Sequence, residues 1–229
     1  MLPPMPLLSP QDRATVQTHL AQITHRVTLL FFTQSIGAPD TVHMAKQVLG
    51  ELADLNPLVS IEELNLVLDR ERAAQYGIEL VPSIVLLKDG ADARMRFVGA
   101  PAGYEFTSLI EAVALAGSDG SGLMESSKVL LASRQTPLDI KVFVTPTCVY
   151  CPRAVTMAHR MAVESPLVTA TCVEATEFPE LSRRYQVTGV PKTVADGVEV
   201  LGAMPEEEFV SSLLGVQTPP RSETPPVAN

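Results

Sequence analysis

Val142-Phe-Val-Thr-Pro-Thr-Cys-Val-Tyr-Cys-Pro152 reads as an apolar strand, a short loop and the start of a helix. Ile140 to Val144 has the length and composition of a buried strand. Pro152 suits a helix start, because the first helical residues have no intrahelical partner for their N–H groups. Two thiols therefore stand where strand turns into helix, Cys148 at or just before the first turn and Cys151 three residues on. The helix start offers unpaired N–H groups and the positive end of the helix dipole, so the Cys148 thiol is expected to ionise more readily than a free cysteine. Cys151 falls on the same side of the turn, within reach of a disulfide. Such a pair supports thiol–disulfide exchange: Cys148 attacks a disulfide, and Cys151 then displaces the reduced product from the mixed disulfide. That chemistry requires no cofactor. A zinc site would need two further ligands, a second C-x-x-C or paired histidines, and the four histidines (19, 25, 43 and 159) are scattered. Only His159 is near, and it is expected to be solvated or packed.

Outward from this stretch, the second half of the chain repeats the first. Phe31-Phe-Thr33 matches Phe143-Val-Thr145, Tyr76 with Val81-Pro82 matches Tyr185 with Val190-Pro191, and Gly99-Ala100 with Glu105-Phe106 matches Gly202-Ala203 with Glu208-Phe209. The matches keep their order while the spacing between them shrinks, as when loops differ. In the first copy, Ser9-Pro10 begins a helix to about Ile23, and Val27 to Phe32 is a strand. Asp40 to Leu55 has helical spacing, Leu58 to Ile61 is a strand, and Asp69 to Tyr76 is a short helix. Ser83 to Leu87 and Arg94 to Val98 form a hairpin across Asp89-Gly90, and Tyr104 to Ala116 is the last helix. The second copy runs Met124 to Ala132, Ile140 to Val144, Pro152 to Val163, Leu167 to Val173, Pro179 to Tyr185, a hairpin across Asp196-Gly197, and Pro205 to Leu214. The expected fold is α/β: two tandem thioredoxin-like units, each a central mixed sheet flanked by helices. Their expected extents are 9–118 and 119–216, joined near Gly117-Ser-Asp-Gly-Ser-Gly122. Residues 1–8 and the Pro-rich tail 217–229 are expected to be disordered.

Composition narrows the function. A net charge of −9 and the absence of any Lys/Arg-rich block argue against a nucleic-acid partner. No stretch approaches the ~20 apolar residues needed to span a bilayer. The apolar N-terminus lacks a basic region and carries prolines, so no signal peptide is read and a cytoplasmic setting is expected. Three cysteines (148, 151 and 172) make no disulfide framework. Cys172 reads either as a small buried hydrophobe or as a third redox thiol reachable from Cys151. Val142 puts no acid on the strand leading into the motif; Glu174 and Glu177 could accept a proton there, but they read first as strand-end surface charges.

Val190-Pro191 precedes a strand in the cysteine-bearing copy, and Val81-Pro82 recurs at the matching place. As in thioredoxin-like folds, Pro191 is expected to be cis, turning the chain so that the preceding backbone can pair with an extended substrate segment. Thr147, Tyr150, Val190 and Pro191 are the expected substrate contacts.

The sequence resembles the two-unit, glutaredoxin-like protein disulfide oxidoreductases of heat-loving microbes, from about Leu8 to Val216. The resemblance rests on Phe97-Val-Gly-Ala-Pro-Ala-Gly-Tyr-Glu-Phe106, Leu123-Met-Glu-Ser-Ser-Lys128, Val142 to Pro152, Val155-Thr-Met-Ala-His-Arg160, Val173-Glu-Ala175 and Val187-Thr-Gly-Val-Pro-Lys192. It implies reversible dithiol–disulfide exchange on protein substrates, with electrons from a flavin-dependent disulfide reductase. Members commonly carry a C-x-x-C in both units. Here the matching positions are Ile36 and Pro39, and no cysteine precedes Cys148. A relay between two dithiols in one chain is therefore impossible, and the first unit is expected to pack or to dock substrate. An inert unit beside an active one is similar to the N-terminal region of flavin-dependent peroxiredoxin reductases, which makes a dedicated carrier to a peroxiredoxin the alternative. Val149 stands where such motifs often have Pro, and the intervening residues tune the potential, so the direction of electron flow stays open. A redox-inert interaction module with a structural cysteine pair is the reading from another class.

Overall fold

The order αβαβαββα occurs twice in succession. The computed structural model describes residues 7–34 and 39–216. The first run is α1 (Pro10–Leu20), β1 (Val27–Thr33), α2 (Thr41–Ala53), β2 (Val59–Asn65), α3 (Arg70–Gln75), β3 (Ser83–Lys88), β4 (Ala91–Val98) and α4 (Tyr104–Ala116). The second is α5 (Glu125–Ala132), β5 (Leu138–Val144), α6 (Cys151–Glu164), β6 (Val168–Glu174), α7 (Pro179–Arg184), β7 (Lys192–Ala195), β8 (Val198–Leu201) and α8 (Glu206–Leu213).

Local chemistry accounts for most of these elements. The Ser9 hydroxyl caps α1 by accepting the Asp12 N–H at 3.1 Å. In β1 from Leu29 to Phe32 and in β5 from Val142 to Val144 successive residues bury on opposite faces, so each strand carries an unbroken apolar run. Asp89-Gly90 and Asp196-Gly197 both have positive φ, as two-residue hairpin turns need. Of residues 1–8, Leu7 and Leu8 are described, and their N–H groups donate to the Glu51 carboxylate at 2.6 and 3.0 Å. Residues 1–6, the tail 217–229 and Ile36 lie outside the described residues.

Each run builds the same four strands: β1 pairs parallel with β2 and antiparallel with β3, and β5 pairs likewise with β6 and β7. The two sheets then fuse. β4 and β6 pair in parallel, Met95 opposite Ala170 and Phe97 opposite Cys172, giving one sheet of order β2-β1-β3-β4-β6-β5-β7-β8. Each of these strands would be a bare edge of its own unit, and an edge is a row of unpaired N–H and C=O groups. The outer edge at β2 carries Glu62 and Glu63, paired with Arg72 and Lys46. These charges on an edge strand mask its pattern and explain why it runs on to Asn65 rather than stopping near Ile61.

One large core covers a whole face of the joined sheet, with Leu49 of α2, Leu109 of α4, Val155 of α6 and Phe209 of α8 packed together. Two smaller cores, under α3 and α7, cover the other face unit by unit. Helices α4 and α6 lie side by side across the junction. Arg94, on a β-bulge in β4, reaches from the first unit to donate to the Ala162 carbonyl at 2.7 Å, near the end of α6. His25 ties the connecting segment, with Nδ1 on Asp89 at 2.7 Å and Nε2 on Asp119 at 2.9 Å.

Candidate active site

Strand β5 ends at Val144, and Thr145-Pro146-Thr147 carries the chain to Cys148. The Cys148 N–H donates to the Thr145 carbonyl at 3.1 Å, and the Cys151 N–H to the Cys148 carbonyl at 3.3 Å, which folds the loop into the first turn of α6. Cys148 and Cys151 are joined by a disulfide with Cα atoms 5.4 Å apart. Their surroundings differ. Cys148 is half-buried, whereas Cys151, the first residue of α6, is fully buried in the large core. No acidic residue occupies the first turn of α6, and Pro152 lies within it. The positive end of the helix is thus left uncompensated beside the sulfurs.

Thr147, Val149 and Tyr150 are exposed around the bridge. Val190-Pro191 is cis, as is Val81-Pro82 in the first unit. Val190 is half-buried and packs, like Cys148, against the core that holds Cys151. The Pro191 carbonyl accepts the Gly202 N–H at 2.8 Å. Buried Lys192 donates to the carbonyls of Tyr185 and Gln186 at 2.7 and 3.1 Å and holds the segment that leads into this turn.

The first unit reaches into the site through the start of α4. Tyr104 donates its N–H to the Pro146 carbonyl at 2.9 Å, two residues before Cys148. Gly103, at φ +55°, makes that approach possible, since a Cβ there would lie 2.3 Å from the same oxygen. The next residue, Glu105, is 2% exposed, and its Oε1 has no hydrogen-bond partner in the fold. Burial, reinforced by the charges of Glu174 and Glu177, raises its pKa to about 9, so the carboxyl is neutral at pH 7.

Glu174 is buried too, contrary to its expected place among surface charges. Its carboxylate accepts the N–H and hydroxyl of Thr176 at 3.1 and 2.7 Å and the Glu177 N–H at 2.5 Å, which satisfies the charge in place. Asn65 makes the same turn in the first unit, accepting from Val67 and Leu68. Glu177 accepts the Ala100 N–H at 2.6 Å and so fastens the loop after β4 to the second unit. Glu105 is the acid that sequence reasoning missed. Its one signal was Val142 standing where the strand carries no acid.

Cys172 is a free thiol, 2% exposed in β6, and burial with the nearby charges of Glu105 and Glu174 pushes its pKa well up. That is the buried hydrophobe of the two readings. His159 is packed rather than solvated: it is 1% exposed, edge-on to Phe97, and burial drives its pKa down to about 3. Among the described residues no three His, Cys, Asp or Glu side chains converge as a metal site, and no helix is long and apolar enough to cross a membrane.

Comparison with known proteins agrees with this geometry. The thioredoxin domain family matches residues 138–215. The alkyl hydroperoxide reductase AhpF of Staphylococcus epidermidis is 26% identical over 189 residues, which is 81% of this chain and 34% of that protein. The chain therefore spans about a third of the length of the curated relatives it matches. Among solved structures, the NTD_N/C domain of AhpF from Enterococcus faecalis superimposes with a TM-score of 0.84 at 30% identity, covering 90% of this chain and 99% of that one. A protein disulfide oxidoreductase from Aeropyrum pernix gives 0.83 at 27% identity, covering 92% and 95%.

Proposed function

Since the chain belongs to the thioredoxin-fold thiol–disulfide oxidoreductases, in the family of the N-terminal domain of AhpF and of protein disulfide oxidoreductase, we propose that Cys148 is its nucleophile and Cys151 its resolving thiol. The observation that carries this assignment is the contrast at the start of α6, one cysteine half-buried and the other fully buried. A substrate disulfide reaches Cys148 first. Its thiolate attacks one substrate sulfur, forming a mixed disulfide and releasing the other sulfur as a thiolate. Cys151 then loses its proton and attacks the Cys148 sulfur, closing the bridge and freeing the second substrate thiol. Two electrons and two protons pass to the substrate, and a flavin-dependent disulfide reductase returns them.

The substrates are disulfide-bearing proteins, met by Thr147 and Tyr150 around the bridge and by the backbone before Pro191, in a reducing compartment such as the cytoplasm. The decisive experiment is reduction of insulin disulfides by the reduced protein. Cys148→Ser is expected to abolish it, and Cys151→Ser to accumulate mixed disulfides on gels run without reductant. Equal activity in Cys148→Ser sinks the assignment. A second reading, a dedicated carrier to a peroxiredoxin, draws on the similarity to AhpF across 81% of the chain. Turnover with a peroxiredoxin well above that with insulin would favour it.

A further inference from the structure

Thiol exchange leaves one feature of the molecule without a task, a cavity of about 260 Å³ in the cysteine-free unit. Its walls are Met44 and Val48 of α2, Pro101 and Ala102 of the loop after β4, and Phe106 of α4, closed on one side by the segment at Leu7. Among the described wall residues the one ionisable side chain, Glu51, already accepts the N–H groups of Leu7 and Leu8. A polar ligand finds little to bind there. The volume is also below the roughly 300 Å³ at which small-molecule sites begin, which suits a single large side chain rather than a cofactor.

Position gives the cavity its meaning. Gly103 lines it and also makes the close approach to Pro146, and Tyr104 bonds the loop two residues before Cys148. Cavity and dithiol thus share one connection. The surface around them is open and apolar: Met44 is 47% exposed, Tyr104 45%, Val149 55% and Tyr150 63%. A substrate segment laid against Cys148 passes over this ground.

We infer that the cavity is a side-chain pocket for the protein substrate, holding an apolar residue (Leu, Met or Phe) a few positions from the substrate's reactive cysteine. The inference rests on Cys148 being the nucleophile, and it gives the first unit a role that needs no thiol. The occupant is a partner segment, because the cavity is continuous through Gly103 and Tyr104 with the loop that carries Cys148, where a substrate disulfide and its flanking chain must dock. Burying one such side chain favours the complex by roughly tenfold.

The test uses the reduced full chain and synthetic peptides with a single disulfide. One parent peptide has only Ser near its cysteines, and the others carry Leu at successive positions along the same stretch. Oxidation of the protein is followed by stopped flow. In the wild type at least one Leu peptide should react about tenfold faster than the parent at subsaturating concentration, and in Met44→Glu and Ala102→Glu that ratio should fall to about one. Both substituted residues have solvent to turn into, and circular dichroism checks the fold of each variant. A ratio near one in the wild type, or one unchanged in both variants, overturns the pocket. A ratio that appears only after residues 1–6 are removed assigns the cavity to the chain's own N-terminus and overturns it equally. Failure of the nucleophile assignment looks different: a small aromatic disulfide would then react with wild type and Cys148→Ser alike.

Discussion

Glu105 and Glu208 occupy matching places in the two copies of the repeat, yet one is 2% exposed and the other lies open to solvent. No property of the residue itself separates them. What differs is the neighbour: α4 is covered by α6 of the second unit, and no ninth strand or further helix covers α8 among the described residues. The consequence can be measured. Because the folded protein holds the Glu105 proton to a pKa of about 9, against 4.5 for an exposed carboxyl, the native state keeps a proton that the unfolded chain has released between those values. Stability is therefore greatest, as far as this group is concerned, below about pH 4.5 and declines as pH rises toward 9, by up to about 1.4 kcal/mol per pH unit. Urea denaturation across that range should show stability falling with pH more steeply in the wild type than in Glu105→Gln, by up to this amount. The cysteine pair, by contrast, was legible from spacing alone, because three residues at a helix start meet whatever surrounds them. Glu174 was not, since its burial depends on strands joined far along the chain.

Among the elements, the start of α4 has the most exacting geometry. Gly103 combines a positive φ with a backbone oxygen in the space a Cβ would take, and Pro146 cannot withdraw without moving the loop that carries Cys148. Gly103→Ala is expected to cost about 2 kcal/mol in the urea midpoint and to slow insulin reduction. Normal activity in that variant would mean that the contact does not position the loop. Arg94→Ala tests the other end of α6. Loss of its charged donation to Ala162 should cost about 1.5 kcal/mol, with little effect on the small-disulfide reaction. Element order was readable throughout, since apolar period, Asp-Gly turns and helix-start prolines are local signals. The length of β2 was not, because the charges of Glu62 and Glu63 mark an edge strand only once the sheet order places β2 at the end among the described strands.

At the scale of the whole molecule, β4 and β6 make one sheet and one continuous core out of two units. A chain of residues 119–216 alone would expose the β6 edge and the face of α6 that α4 covers, and it would lack Glu105. It should therefore associate or unfold at markedly lower urea than the full chain, as size-exclusion chromatography and denaturation would detect. A monomeric fragment of full stability would show that the junction is dispensable. The amino-acid sequence by itself determined that the chain is a repeated αβαβαββα, that the second copy carries a dithiol at a helix start, and that the first carries none. These follow from patterns a few residues long, which local geometry reads directly. Only the tertiary structure decided which edges meet, and with them which carboxyl is buried and where the apolar cavity opens. Every strand edge carries the same unpaired N–H and C=O groups, so their choice of partner is made by the packing of side chains distant in the chain.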